Sequence, residues 1–366
     1  MDVNWESVWL NSARSWLPNF IKSLKIDIFI RKSPLTPLFQ RGVIPPFGKG
    51  RSGGILKMNF FIRRLFLSSP MPERNQNLGH LLLIIVVLTW GANYGIIKSA
   101  FQDFSPVLFG AIRFTLCGLF VLAITYKWEK GVSIQKKDFW KVAWVGLLGI
   151  GVYQVLWLVG LNLTSASNSA LILSTTPLWG ALYVHLVEKE SVRKKQYLFM
   201  MISLFGVMLV VLKPTVRLHF SPDTLAGDLL SLIAAFCAAI FLSVWSKPLL
   251  KIYSPLRLMG YCMMIGSLVL WLAVPFLATP VALNQVGAAS WWALGYAIFL
   301  PGIIGHVSYY GGIEKLGVTR SMVYLYLIPL WAILFNYLWM GEKVFPQQIL
   351  GGLFILLGVH GALRRS

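Results

Sequence analysis

The sequence predicts an all-α integral membrane protein of ten transmembrane helices, built as two inverted five-helix repeats. Three observations lead there. From residue 79 onward, apolar runs of about 20 residues follow one another, each long enough to cross a ~30 Å hydrocarbon layer as a helix. Charged residues make up 13% of the chain, about half the share usual in a soluble domain. A block near the middle also returns near the end: Pro177-Leu178-Trp179 recurs as Pro329-Leu330-Trp331, 152 positions later.

That shift also superposes Glu190 on Glu342, Gln196 on Gln348, Gly206 on Gly358, Gly160 on Gly312 and Ser169 on Ser321. Between 177 and 207 it gives 12 identities in 31 ungapped positions. Chance Leu and Val matches are common in apolar sequence, but Pro, Trp, Glu, Gln and Gly matches are not, so the block is a duplication. The front of each half aligns at a shift of 149, Lys98 on Lys247 and Pro106 on Pro255. Copies separated by an odd number of spans lie upside down relative to one another, the arrangement of many alternating-access transporters.

Residues 1–78 differ in character. Lys32 to Ile55 is rich in Pro, Gly and basic residues without periodicity, which predicts disorder. It resembles the translation of a short interspersed repeat of the kind found in cyanobacterial genomes, which places the true start at Met58 or Met71. It lacks the apolar core and cleavage site of a secretory signal. The first repeat is assigned to 79–212, with spans at 79–100, 106–126, 140–162, 165–187 and 197–212. The second is assigned to 226–362, with spans at 226–246, 256–278, 291–313, 318–340 and 345–362.

Basic residues mark alternate connections. Lys127, Lys130, Lys136 and Lys137 follow the second span; Lys189, Arg193, Lys194 and Lys195 follow the fourth; Lys247, Lys251 and Arg257 follow the sixth. Lys315 and Arg320 follow the eighth, and the chain ends in Arg364-Arg365-Ser366. The remaining connections hold few, so both termini are expected in the cytoplasm, across a plasma (inner) membrane. The net charge of +20 is therefore spread over loops and the first segment, with no folded basic face for a nucleic acid. Cys117, Cys237 and Cys262 fall inside spans without paired spacing, which argues against disulfides and metal binding. From residue 79 onward no HExxH, GxSxG or phosphate-cradling loop occurs. The chain is expected to be neither an enzyme nor a cofactor protein, and without ATP drive its solute moves by gradient-driven or facilitated transport. The sequence leaves a homodimer open.

Polar residues within spans are the candidate site, because each is costly unless it faces protein or water. Gln154 in the third span maps at 152 onto His306 in the eighth, and Trp157 onto Tyr309. Three-residue spacing puts each pair on one helix face. These four, with Tyr153 and Tyr310 beside them, are expected to line a solute pathway by aromatic walls and oriented polar groups; the bland alternative is hydrogen bonding that holds the bundle together. Asn93 is either a pathway residue or packing glue, and Tyr324 is a further cavity candidate. Gly91 and Gly95 allow close helix approach. Arg113 lies seven residues past Pro106, roughly 10 Å into the second span; it either snorkels to the outer interface or binds an anionic solute group. His306, as an ionisable group near mid-membrane, is also a candidate for proton coupling.

WGANYGIIK (Trp90 to Lys98), followed by Pro106 and Ala111-Ile112-Arg113-Phe114, resembles the start of EamA domains of the drug/metabolite transporter superfamily. Gly160-Leu161, Ala166-Ser167-Asn168, Pro177, and Glu190 six residues before Gln196 extend the likeness, and Gly312, Pro329, Glu342 and Gln348 repeat it. The resemblance covers about residues 79–362. It implies ten helices around a central cavity and movement of a small solute such as an amino acid, another metabolite or a toxic compound, without implying which; the leading reading is a secondary transporter, export favoured. Two departures stand out: Arg113 maps onto Cys262, and the first span lacks the embedded Glu that small multidrug resistance proteins use for proton exchange. A nucleotide-sugar or sugar-phosphate carrier would need more cavity cations than Arg113, and a non-transporting receptor or scaffold is the rival from another class.

Overall fold

The computed structural model describes residues 76–129, 131–164, 166–212, 222–340 and 344–364, all within the unit Phe66–Ser366. The first 75 residues, with Met58 and Met71, lie outside the described residues, as do Glu342 and the side chain of Lys98. The first expected span, α1, is broken into Gln76–Gly91 and Asn93–Ala100. Next come α2, Pro106–Glu129, and α3, Lys136–Leu163. The helix α4 is again broken, into Ala166–Leu173 and Thr176–Leu186. The rest are α5 (Lys194–Val211), α6 (Asp223–Lys251), α7 (Pro255–Leu277), α8 (Ala288–Leu316), α9 (Val318–Phe335) and α10 (Pro346–Leu363). Among the described residues, eight helices are thus long and apolar enough to cross a membrane. Hydropathy counts ten spans because it does not register the breaks in α1 and α4.

Side chains are distributed inside out relative to a soluble protein. Leu272, Phe276 and Leu338 are exposed on the outer surface, whereas Arg113, Gln154 and His306 are buried. Hydrocarbon accepts the first group, and only protein or an internal cavity can accept the second. Trp140 and Trp292, related by the 152 shift, are 70% and 78% exposed at the starts of α3 and α8. Such terminal indoles suit the two lipid–water interfaces.

The helices pack most extensively as α2 on α7, α5 on α10, α3 on α6 and α1 on α8. Moving every helix five places along maps this set onto itself. Direction follows from the contacts. Gly110, Gly118 and Glu129 along α2 meet Leu270, Met264 and Arg257 in falling order along α7. The helices α2 and α7 are repeat equivalents, so their antiparallel pairing means the repeats are inverted.

The α5–α10 seam carries the same symmetry down to single atoms. A Cβ on Gly206 would lie 2.6 Å from Gly351 O and 2.7 Å from Ile355 N. A Cβ on Gly358 would lie 2.6 Å from Phe199 O and 2.7 Å from Ser203 N. The 152 shift exchanges these two sets. Gln196 Oε1 accepts from Arg193 N at 3.1 Å, capping α5, while its Nε2 donates to Ala362 O at 3.5 Å. Gln348 Oε1 accepts from Phe345 N at 3.1 Å, while its Nε2 donates to Val210 O at 3.2 Å. Each repeated glutamine therefore closes its own helix start and stitches the end of the opposite helix. We expect Gln348→Leu to cost about 1–3 kcal/mol, since it strips partners from buried backbone groups. Gln196→Leu, half-buried with a longer cross-helix bond, should cost less; thermal melts of the purified variants would check the order.

The backbone irregularities also recur in pairs. Wide, π-helical turns occupy Leu147–Val152 in α3 and Ile298–Gly305 in α8, and the 152 shift superposes them. The interruption of α1 at Ala92 maps at 149 into the π-helical turn Ala238–Val244 of α6. The break in α4 at Ser174-Thr175 maps onto the tightened 3-10 stretch Tyr324–Leu327 of α9. By contrast α2, α5, α7 and α10 are each a single α-helix. Irregular backbone inside a membrane persists where protein or a wet cavity satisfies its freed polar groups.

Candidate functional site

The wide turn of α8 presents carbonyls that side chains from other helices satisfy. Arg113 Nε donates to Ala297 O at 3.0 Å, and Cys117 Sγ donates to Ile298 O at 3.4 Å, both from α2. Trp90 Nε1, from α1, donates to Pro301 O at 3.1 Å. His306 Nδ1 lies 2.7 Å from that same oxygen and 3.1 Å from Gly302 O. Two carbonyl neighbours require Nδ1 to carry the proton, so in neutral imidazole Nε2 is the acceptor. Gly305 makes the approach possible: a Cβ there would lie 2.8 Å from Trp90 Cδ1 and 3.0 Å from Thr89 Oγ1.

Aromatic rings gather on this polar frame. Trp90 lies 5.0 Å from the His306 ring and 5.5 Å from Tyr309, and Phe114 meets His306 edge-on at 5.7 Å. Tyr309 and Ser243 share a hydrogen bond of 2.9 Å that ties α8 to α6. Tyr296, also on α8, donates to Thr89 O at 3.0 Å. Arg113 does not snorkel. It is 2% exposed, its Cζ lies 5.0 Å from the Phe114 ring centre, and Tyr153, Tyr296 and His306 are its electrostatic neighbours.

Four of the sequence candidates therefore meet: Arg113, Tyr153, His306 and Tyr309. The others lie elsewhere. Gln154 sits on the α3 face between Ile150, which packs on Gly266, and Leu158, which packs beside Gly110 and Leu270. Its Oε1 is buried without a hydrogen-bond partner. Trp157 is buried one turn further along α3. Tyr310 is fully buried beside Cys262 and Ser246, toward α6 and α7. Asn93 directly follows the α1 break, buried, with Oδ1 lacking a hydrogen-bond partner. Tyr324 hydrogen-bonds His80 near the start of α1. Trp90 and Ser243 were not singled out as site residues from sequence, and Trp90 entered only as the first letter of a motif.

A second polar group lies around Asp228. Asp228, buried in α6, accepts from Thr164 Oγ1 at 2.6 Å, Asn168 Nδ2 at 3.2 Å and Thr224 Oγ1 at 3.3 Å. It pins α6 to the turn between α3 and α4. Separately, a cavity of about 460 Å³ opens among the α1–α2 connection, the end of α3 and the α7–α8 connection, lined in part by Asp103, Phe104, Asn162 and Gln285. Among the described residues no group of three or more His, Cys, Asp or Glu side chains gathers to hold a metal.

Comparison with known proteins agrees with this architecture. The chain is 27% identical over 286 residues to the uncharacterized transporter YyaM of Bacillus subtilis (strain 168), covering 76% of this chain and 93% of that one. It is 26% identical over 288 residues to a protein of Streptantibioticus cattleyicolor named "probable terminal-alkyne amino-acid exporter", covering 78% and 93%. A solved crystal structure superposes with a TM-score of 0.67 at 19% identity, over 78% of this chain and 95% of that one, which shows a shared fold. The model of the EamA-like transporter family matches twice, at residues 77–212 and 225–364, the same two halves that the antiparallel helix pairs relate. The chain belongs to the EamA-like transporter family.

Proposed function

We propose that this membrane transporter is a secondary carrier that moves a small, amino-acid-like solute outward across the plasma membrane by alternating access, both termini being cytoplasmic. The observation that carries the reading is the pairing of irregular turns. The helices α1 and α6, α3 and α8, and α4 and α9 deviate at repeat-equivalent points, and the polar aromatic cluster lies directly on one such turn. Broken or widened helices at equivalent places in inverted repeats are where carriers bind solute. Trp90, Arg113, Tyr153, His306 and Tyr309 are the proposed first contacts, and Gln154, Asn93, Trp157 and Tyr310 are proposed to join them as the halves rock. An amino-acid solute is favoured by the name of the Streptantibioticus relative. A sugar-phosphate cargo is disfavoured because Arg113 is the basic residue of the cluster.

Counterflow in liposomes tests this. Vesicles preloaded with one unlabelled amino acid should accumulate its labelled form from outside faster with the protein than without it. Properly folded protein that neither exchanges nor is thermally stabilised by any amino acid in a full panel would support the receptor or scaffold reading instead.

A further inference from the structure

Arg113 is a buried cation with no anion beside it among the described residues. It is 2% exposed, and the hydrogen bond of its guanidinium there is the one from Nε to Ala297 O. Its electrostatic neighbours Cys117, Tyr153, Tyr296 and His306 are a thiol, two phenols and an imidazole. None of these ordinarily carries negative charge near neutral pH.

The carboxylates of the described residues lie elsewhere. Asp103 accepts from Gly287 N and Ser290 Oγ, Glu129 pairs with Arg257, and Asp138 pairs with Lys141 and accepts from Tyr253. Glu188 and Glu190 both pair with Lys247, and Glu314 pairs with Lys315. Asp228 is held by Thr164 and Asn168, and Asp223 is exposed.

Burying a charge without its partner is among the most costly arrangements in a protein, and more so in a membrane. With Nε engaged, Nη1 and Nη2 remain as a parallel pair of donors, the edge by which arginine takes a carboxylate at two points. Phe114 lies under the guanidinium, and Trp90 packs on His306 next to it. That setting suits a short anionic head with an apolar body.

We infer that Arg113 binds the carboxylate of the transported solute, which selects small monocarboxylates and zwitterionic amino acids over neutral, cationic or dianionic phosphate compounds. This rests on the carrier reading above and assigns its specificity to one residue. A single cation balances a single negative charge, so phosphate dianions would stay under-compensated.

The test uses the purified full chain and its thermal stability. Probes are L-phenylalanine, L-leucine and 3-phenylpropionate, against L-phenylalaninamide and phenethylamine, with chloride and inorganic phosphate alone as further arms. At least one carboxylate compound should raise the apparent Tm by roughly 5 °C at 100 times its Kd, while the amide and amine leave it unchanged. Arg113→Gln should abolish that rise, and Arg113→Lys should keep part of it. Without ligand, Arg113→Gln should be at least as heat-stable as wild type, because it removes an uncompensated charge; an arginine with a merely structural role would give a lower Tm.

The assignment is overturned if the amide or amine stabilises as well as the carboxylates. A carboxylate response that survives Arg113→Gln, or a shift reproduced in full by chloride or phosphate alone, overturns it too. The carrier reading fails separately, when no compound of any charge either stabilises the protein or is exchanged, and the assignment then falls with it.

Discussion

Alanine at Gly206 and at Gly358 is expected to destabilise the protein by nearly equal amounts, about 1–3 kcal/mol each. The double variant should melt far below wild type. The reason lies in what the new methyl groups would strike. Each Cβ would come within 2.6 Å of a backbone oxygen and 2.7 Å of a backbone nitrogen on the facing helix. Backbone cannot rotate aside as a long side chain can, so α5 and α10 would have to separate along the whole seam. Gly295→Ala is the control, since a Cβ there meets nothing within 4 Å; it should be neutral or mildly stabilising, as alanine favours helix over glycine. Melting curves in detergent, read by retained monodisperse protein, measure all four. A large difference between the two seam positions would contradict the symmetry of their surroundings.

Trp90→Ala is expected to lower solute exchange by at least about tenfold while the protein still inserts and purifies. The indole makes one hydrogen bond, to Pro301 O, and ring contacts with His306 and Tyr309. Ring pairs contribute about 0.5–1.5 kcal/mol and a hydrogen bond about 1 kcal/mol. Those contacts hold the ring in place; what exchange loses on truncation is the apolar wall offered to the solute, worth roughly 1.5–3 kcal/mol for a large side chain, against 1.4 kcal/mol for a factor of ten. Trp90→Phe keeps a ring and loses only the N–H, and His306 still occupies Pro301 O, so its exchange should fall much less. Unchanged exchange by Trp90→Ala in the counterflow assay would remove the cluster from the solute path.

Much of the architecture could be read before any coordinates. Hydropathy located the spans, and the 152 shift anticipated that Gln196 and Gln348, or Gly206 and Gly358, hold equivalent places. Their task was hidden, because a cap on one helix and a stitch to another depend on a partner some 150 residues away. The turns at Leu147–Val152 and Ile298–Gly305 were hidden for a different reason: a helix that widens remains apolar in sequence. Arg113 shows the same limit. Its depth follows from counting along α2, but the carbonyl of Ala297 and the absence of a nearby carboxylate among the described residues follow only from how α8 packs. Asp228 is not legible as a buried anchor, because an acid near the start of a span reads as loop. Tyr324 is a cavity candidate by span position, but which way it faces is not legible in sequence; its contact with His80 follows only from packing.

The glutamine and glycine contacts at the α5–α10 seam carry an implication about origins. Because the contacts of one half are those of the other with partners exchanged, each half holds both sides of its own join. The backbone of the seam is thus arranged as in a pairing of one half with an upside-down twin, while the side chains have diverged, Phe199 standing where the other half has Gly351 and Ser203 where it has Ile355. That is the pairing a half-length ancestral polypeptide inserted in both orientations would make, and duplication leaves each copy free to acquire residues, such as Arg113, that its sibling lacks.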